Sequence, residues 1–125
     1  INCTADNNSV ADDPTAWDVY AMANVQAPTG DPEYWFTVFA TSDATRNQGK
    51  YSSEKLDKLE KELSAEFDIE KRAELAVQMQ QTVLDDHAFV FCSFLKMSMI
   101  SKANVTGYES HACDYYQVTA DLDIN

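Results

Sequence analysis

Two helical patterns separated by only a few residues constrain this chain more than any other feature in it. Leu56, Leu59, Leu63 and Phe67 recur at three- and four-residue steps, which places them on one stripe of a helix and commits that stripe to burial. Lys55, Lys58, Glu62 and Glu66 fall on the opposite side and read as a solvated face. Ser52 is the expected N-cap, its hydroxyl accepting an orphan amide of the first turn, with Tyr51 and Leu56 at hydrophobic-staple positions. Asp68 is the expected cap of a second helix, with Leu75, Ala76, Met79, Val83 and Leu84 on its buried side and Asp85, Asp86 and His87 at its end. Two helices of about sixteen residues with so short a connection fold back as an antiparallel hairpin. The leucine and methionine stripes are core faces rather than a cofactor box.

Upstream, residues 17–42 read as strand, turn and helix. Residues 18–24 (DVYAMAN) are mostly apolar and bounded by turn chemistry, as a buried strand would be. Pro28, lacking a backbone donor, and Gly30, free to take positive φ, break that strand. Asp31 stands where an N-cap belongs, Pro32 at the first helical position, and Tyr34, Trp35, Val38 and Phe39 follow at helical spacing. A bend between the end of a strand and the start of a helix is where α/β proteins often hold ligands, although most such bends are mere connections.

The remaining stretches are read from local chemistry. Residues 5–15 and 43–50 are polar loops. Residues 88–95 (AFVFCSFL) are an unbroken apolar run, expected as a buried strand, and residues 97–101 continue as a second strand or its extension. Residues 104–107 mark a turn, and 115–118 offer a short strand. Asn104-Val105-Thr106 is a glycosylation sequon, relevant only in a eukaryotic secreted protein.

One domain is the most that 125 residues support, and a hydrophobic fraction of 45% is that of a folded chain. A net charge of −12 argues against nucleic acid and against anionic membrane surfaces. No apolar run approaches the length of a membrane span, and the opening residues INCTADNN, with neither an initiator Met nor a signal peptide, suggest a piece of a longer chain. Cys3, Cys92 and Cys113 form no C-x-x-C pair. Cys92 is expected buried as a small hydrophobe, while Cys3 and Cys113 are compatible either with free thiols or with a bridge in an oxidising compartment.

Nothing in the chain closes a catalytic cluster. G-x-S-x-G, P-loop and H-E-x-x-H patterns are absent, and Cys92 has no basic neighbour to make it a thiolate. His87 beside Asp85 and Asp86, and His111 beside Cys113 and Asp114, hint at metal ligation but read more simply as loop histidines. The expectation is a non-enzyme with no cofactor and no metal site.

The order of pieces then matters. Trp17-Asp18, Asp31-Pro32, Asn47, Tyr51-Ser52, Asp57 with Leu59, Lys71-Arg72, Gln80-Gln81 and Val105-Thr106-Gly107-Tyr108 follow one another as in the C-terminal region of family 5 extracellular solute-binding proteins, which this chain resembles from Trp17 to Tyr108. Members of that family are the peptide and nickel receptors of ABC importers. The resemblance implies an α/β fold. It would be a fragment of a type II periplasmic-binding-protein lobe, with a small β-sheet packed against about three helices, including the antiparallel hairpin. It implies one unit over residues 1–125 belonging to the second lobe, closing with the other lobe on a small peptide or metal chelate. Delivery to an ABC permease follows, outside the cytoplasmic membrane in the periplasm or on the outer face. Membrane attachment would come only through a lipoprotein anchor elsewhere, and no nucleic acid is involved. Asn24, Val25, Gln26, Ala27 and Thr29 would line the cleft. Family members often carry Trp near the position of Val25 and, in peptide binders, an acid near Pro28; nickel-chelate binders can have a His where this chain has Asp43, Ala44 and Thr45. Those departures leave the ligand open. Alternatives are a protein-interaction or ligand-sensing module on the same fold, and a metal-dependent enzyme using His87 and His111.

Overall fold

In the computed structural model, residues 11–94, 96, 98–111 and 118–125 are described, and they form three helices and one small antiparallel sheet. The Cys3–Cys113 pairing and most of the expected strand at 115–118 lie outside these residues. Helix α1, Glu33–Trp35, starts where the sequence pattern puts it. Asp31 Oδ1 accepts from the Glu33 amide at 2.9 Å, and Pro32 already has helical dihedrals (φ −69°, ψ −17°). The helix then widens without interruption into a π segment, Phe36–Ala40, which the Thr41 amide closes onto the Phe36 carbonyl at 3.0 Å. Within it the Thr37 hydroxyl donates back toward the Glu33 and Tyr34 carbonyls.

Helix α2, Glu54–Ala65, and helix α3, Ile69–Asp85, form the expected hairpin. Its antiparallel sense is direct: Tyr51, just before α2, donates its hydroxyl to Asp86, just after α3, at 2.5 Å. The connection is organised by Glu66, whose Oε1 accepts from the Phe67 and Asp68 amides at 2.9 Å each. Those two donors, with Lys71 nearby, hold the Glu66 carboxyl below its usual pKa. Asp68 caps α3 through the Lys71 amide at 3.0 Å, as expected.

Two details of the hairpin depart from the sequence reading. Ser53, not Ser52, caps α2, accepting from the Leu56 amide, because the chain is still extended at Ser53 (φ −145°, ψ 108°) and the Ser52 hydroxyl is engaged with Ser42 at 3.0 Å. Tyr51 therefore leaves the staple position and packs instead on Phe89, ring centroids 6.1 Å apart. At the other end the backbone turns extended at Glu66, so Phe67 falls off the stripe and is 91% exposed.

The core lies where the hairpin meets the first helix. Leu56, Leu59 and Leu63 of α2 and Ala76, Met79 and Val83 of α3 pack with Trp35, Phe36, Phe39 and Ala40, and Leu75 and Phe89 lie against them. Leu84, expected inside, is half exposed, because its place on the helix turns it away from that cluster.

The sheet is smaller than expected and elsewhere. Strand β1, Val105–Thr106, pairs with β2, Asp123–Ile124, and the turn expected at 104–107 precedes β1 at Ala103 and Asn104. Gly107 takes φ +74°, and a Cβ there would fall 1.8 Å from the Asp121 carbonyl oxygen, so only glycine fits. Residues 18–24 form no strand, nor do the described residues of 88–95 and 97–101. A strand needs a neighbour to satisfy its backbone, and among the described residues none runs beside these segments. Val90 and Phe94 are accordingly 86% and 84% exposed, and Cys92 is an exposed free thiol rather than a buried one.

This packing separates two residues of one sequence stripe. Leu63→Ala should lower the unfolding free energy in urea by about 3 kcal/mol, and Phe67→Ala should change it by less than about 0.5 kcal/mol. Equal losses at both sites would mean that the stripe continues through the connection.

Candidate functional site

The bend predicted to line a cleft runs on the surface into the first helix. Asn24 and Ala27 are half buried, Val25, Gln26 and Thr29 are exposed, and Pro28 is buried. A turn closes it, the Gly30 amide donating to the Ala27 carbonyl at 3.0 Å with Gly30 at φ +88°. Asn24, Val25, Gln26, Ala27 and Thr29 thus stay together as one short stretch at the edge of α1, three of them exposed and two half buried. The polar side-chain groups on this stretch are the Asn24 and Gln26 amides and the Thr29 hydroxyl.

What fixes this bend is the anchoring of the helix after it. At the start of α1, Arg72 of α3 donates from one nitrogen to Asp31 Oδ2 and Glu33 Oε2, each at 2.7 Å. Its other nitrogen donates to the Leu63 and Glu66 carbonyls, at 2.7 and 2.9 Å, which end α2. The hydrogen bonds to Glu33 and then Asp31 raise the guanidinium pKa further, against the opposing effect of burial.

After the π segment the chain is held by a second knot. Buried Asn47 donates from Nδ2 to the Thr41 carbonyl at 3.1 Å and the Tyr51 carbonyl at 2.6 Å, and its Oδ1 accepts from the Tyr51 amide at 2.9 Å. Asp57 Oδ1 accepts from the Ser42 amide at 2.9 Å, and the Ser42 hydroxyl meets Ser52. The backbone at Lys50, φ 53°, completes the tight approach. The segment 33–40 is thereby pinned at both ends by side chains more distant in sequence.

The two histidines stay in loops. His87 is exposed, with the left-handed backbone (φ 54°) of a residue closing a helix, and His111 is exposed. Among the described residues no group of three or more His, Cys, Asp or Glu side chains is placed to hold a metal ion, and no described helix is long and apolar enough to cross a membrane. Shallow hollows occur on the hairpin, one where Glu62, Glu66, Lys71 and Leu75 meet and another over Ala73, Glu74, Val77 and Gln78. Neither includes the bend.

Comparison with family models, with curated proteins and with solved structures gave no significant match.

Two measurements check the anchoring. Asn47→Ala should cost about 1–3 kcal/mol by stranding the Tyr51 amide and two carbonyls. Asn47→Asp should be more harmful near pH 7 than near pH 4, since an ionised carboxylate would face both carbonyl oxygens. A pH-independent loss would show that the side chain is not held between them.

Glu60 tests the acidic side of the same region. Burial first, then the charges of Glu33 and Asp43, raise its carboxyl above the ordinary 4.5. The folded state therefore holds this proton more tightly than the unfolded chain does. That contribution is complete below pH 4.5 and is lost as pH rises through the folded value. Glu60→Gln should raise the urea midpoint near pH 7, and the gain should vanish below pH 4.5. An equal gain at both pH values would contradict the assignment.

Proposed function

We propose that this chain is part of the substrate-binding component of an ABC importer of the peptide and nickel class. It contributes to the second lobe of a type II periplasmic-binding-protein architecture, works outside the cytoplasmic membrane and hands its ligand to a permease. The reading rests on the order of motif residues, and one observation carries it. Asp31, Asn47, Ser52, Asp57 and Arg72, which make up much of the resemblance, are the residues that pin the two ends of the helix following the bend. Motif residues that fix a helix also fix where the preceding bend emerges, and a two-lobed receptor needs its jaw held rigidly while the lobes move. Asn24, Gln26 and Thr29 are the polar groups offered to a small peptide or metal chelate, with Val25 and Ala27 as the apolar lining. No covalent chemistry is required; capture is by closure onto a ligand touching both lobes.

Titration calorimetry with short peptides and with nickel chelates should give no tight binding to the 125-residue chain alone. A complete receptor should bind one of them saturably and lose about tenfold or more in affinity on joint Asn24→Ala and Gln26→Ala substitution. Tight binding by the chain alone would overturn the shared cleft.

A second reading, a protein-interaction module, is favoured by one observation: α3 carries an exposed apolar stripe on the side of the hairpin away from the core.

A further inference from the structure

Helix α3 has two apolar sides. The inner one, Ala76, Met79 and Val83, is buried in the core. Ile69, Ala73, Val77 and Leu84 stand at helical spacing on another side, and all four are exposed. Glu70 and Glu74 run alongside at the same four-residue step, and Glu74 shares a shallow hollow with Ala73 and Val77. The outer stripe is therefore an apolar strip with an acidic margin.

The opposite combination occurs after the hairpin. From His87 to Tyr108 the sequence has two lysines, Lys96 and Lys102, and no carboxylate, inside a chain of net charge −12. Val90, Phe94, Met99 and Ile100 of this stretch are exposed. Phe89 and Phe91 lie against Trp35, with ring centroids 5.2 and 5.5 Å from it, so residues 89–91 are held to the core while Val90 between them faces solvent. The exposed apolar residues and the two lysines thus belong to one stretch of chain whose formal charge is positive.

We propose that two copies of this chain associate reciprocally. The outer stripe of α3 on one copy covers Val90, Phe94, Met99 and Ile100 on the other, and Glu70 and Glu74 face Lys96 and Lys102 across each of the two equivalent contacts. A two-fold axis makes the contacts mutual, because each copy carries both faces. Opposite margins select this pairing over stripe on stripe, which would bring carboxylates together in a chain already strongly negative. The inference does not depend on the receptor reading, since neither face includes the bend at Asn24 to Thr29.

Sedimentation velocity of the 125-residue chain over a range of concentration should show mass rising from 14.0 kDa toward twice that value. Joint Lys96→Glu and Lys102→Glu, or joint Glu70→Lys and Glu74→Lys, should each weaken association by about tenfold or more. Mixing the two variants should restore it, because each of the two contacts then again joins lysines to glutamates. All four positions are exposed, and circular dichroism should show unchanged helix content. A monomer at every concentration overturns the proposal. So does association that the reversals leave intact, failure of the mixture to recover, or binding to phosphatidylglycerol vesicles in place of self-association.

Discussion

Arg72 is the interaction on which the arrangement of helices depends. At the end of α2 the Leu63 carbonyl accepts from the Glu66 amide and has a second lone pair for another donor, and the start of α1 gathers two carboxylates that repel one another. A planar guanidinium with donors on both sides of its fork satisfies both at once, two carbonyls on one nitrogen and Asp31 and Glu33 on the other. A lysine ammonium is a point charge without that fork. The other described ion pairs, Lys58–Glu62 and Lys71–Glu66, lie within α2 and at the hairpin connection, are largely exposed, and do not reach α1. Arg72 is thus what orients α1 against the hairpin, and its worth is geometric as much as energetic.

With that orientation set, the aromatic cluster becomes possible. Trp35 stands edge-on to Phe36 and Phe89 and stacks on Phe39, with centroids 5.2 to 6.4 Å apart. These rings fill the space that Leu56, Leu63, Met79 and Val83 leave open on the hairpin. Phe89 also meets Tyr51 edge-on, so the chain leaving α3 is drawn back over the beginning of α2. The Asn47 knot then closes the far end of the π segment. Loop 41–53 is held by buried polar bonds rather than by regular structure, and each of its partners is satisfied.

Which parts of this were legible follows from where the controlling interactions lie. Helical periodicity is local, so α2, α3 and the caps at Asp31 and Asp68 could be read from neighbouring residues, and the antiparallel hairpin from the short connection. Ser52 and Ser53 compete for the same role, and the choice is made by Ser42, ten residues away from Ser52, which no local pattern reveals. Strands failed for the same reason more severely. DVYAMAN and AFVFCSFL have strand composition, but a strand exists only beside a partner, and composition says nothing of whether one runs there. Cys92, expected inside, is exposed with its segment for the same reason. Arg72 was visible as a motif residue, yet its pairing spans 41 residues to Asp31, a distance at which sequence alone offers no geometry. The bend at 24–29 was legible as a turn from Pro28 and Gly30, and whether it serves a ligand is a question of what stands opposite it.

Charge distribution explains why the two surfaces can be considered separately. The bend itself offers neutral amides and a hydroxyl, and it leads into Asp31 and Glu33, whose two negative charges Arg72 offsets in part. A ligand there would be held by directional hydrogen bonds, which favour a small polar molecule over a broad protein face. The α3 stripe and the lysine-bearing run are the converse: wide, apolar and margined by opposite charges, with few polar groups to fix a small molecule. Such surfaces gain free energy by excluding water over area and use charge to choose register. On the proposed readings, one chain carries a surface for a solute and others for a second copy of itself. The rigid core around Trp35 and Arg72 anchors both.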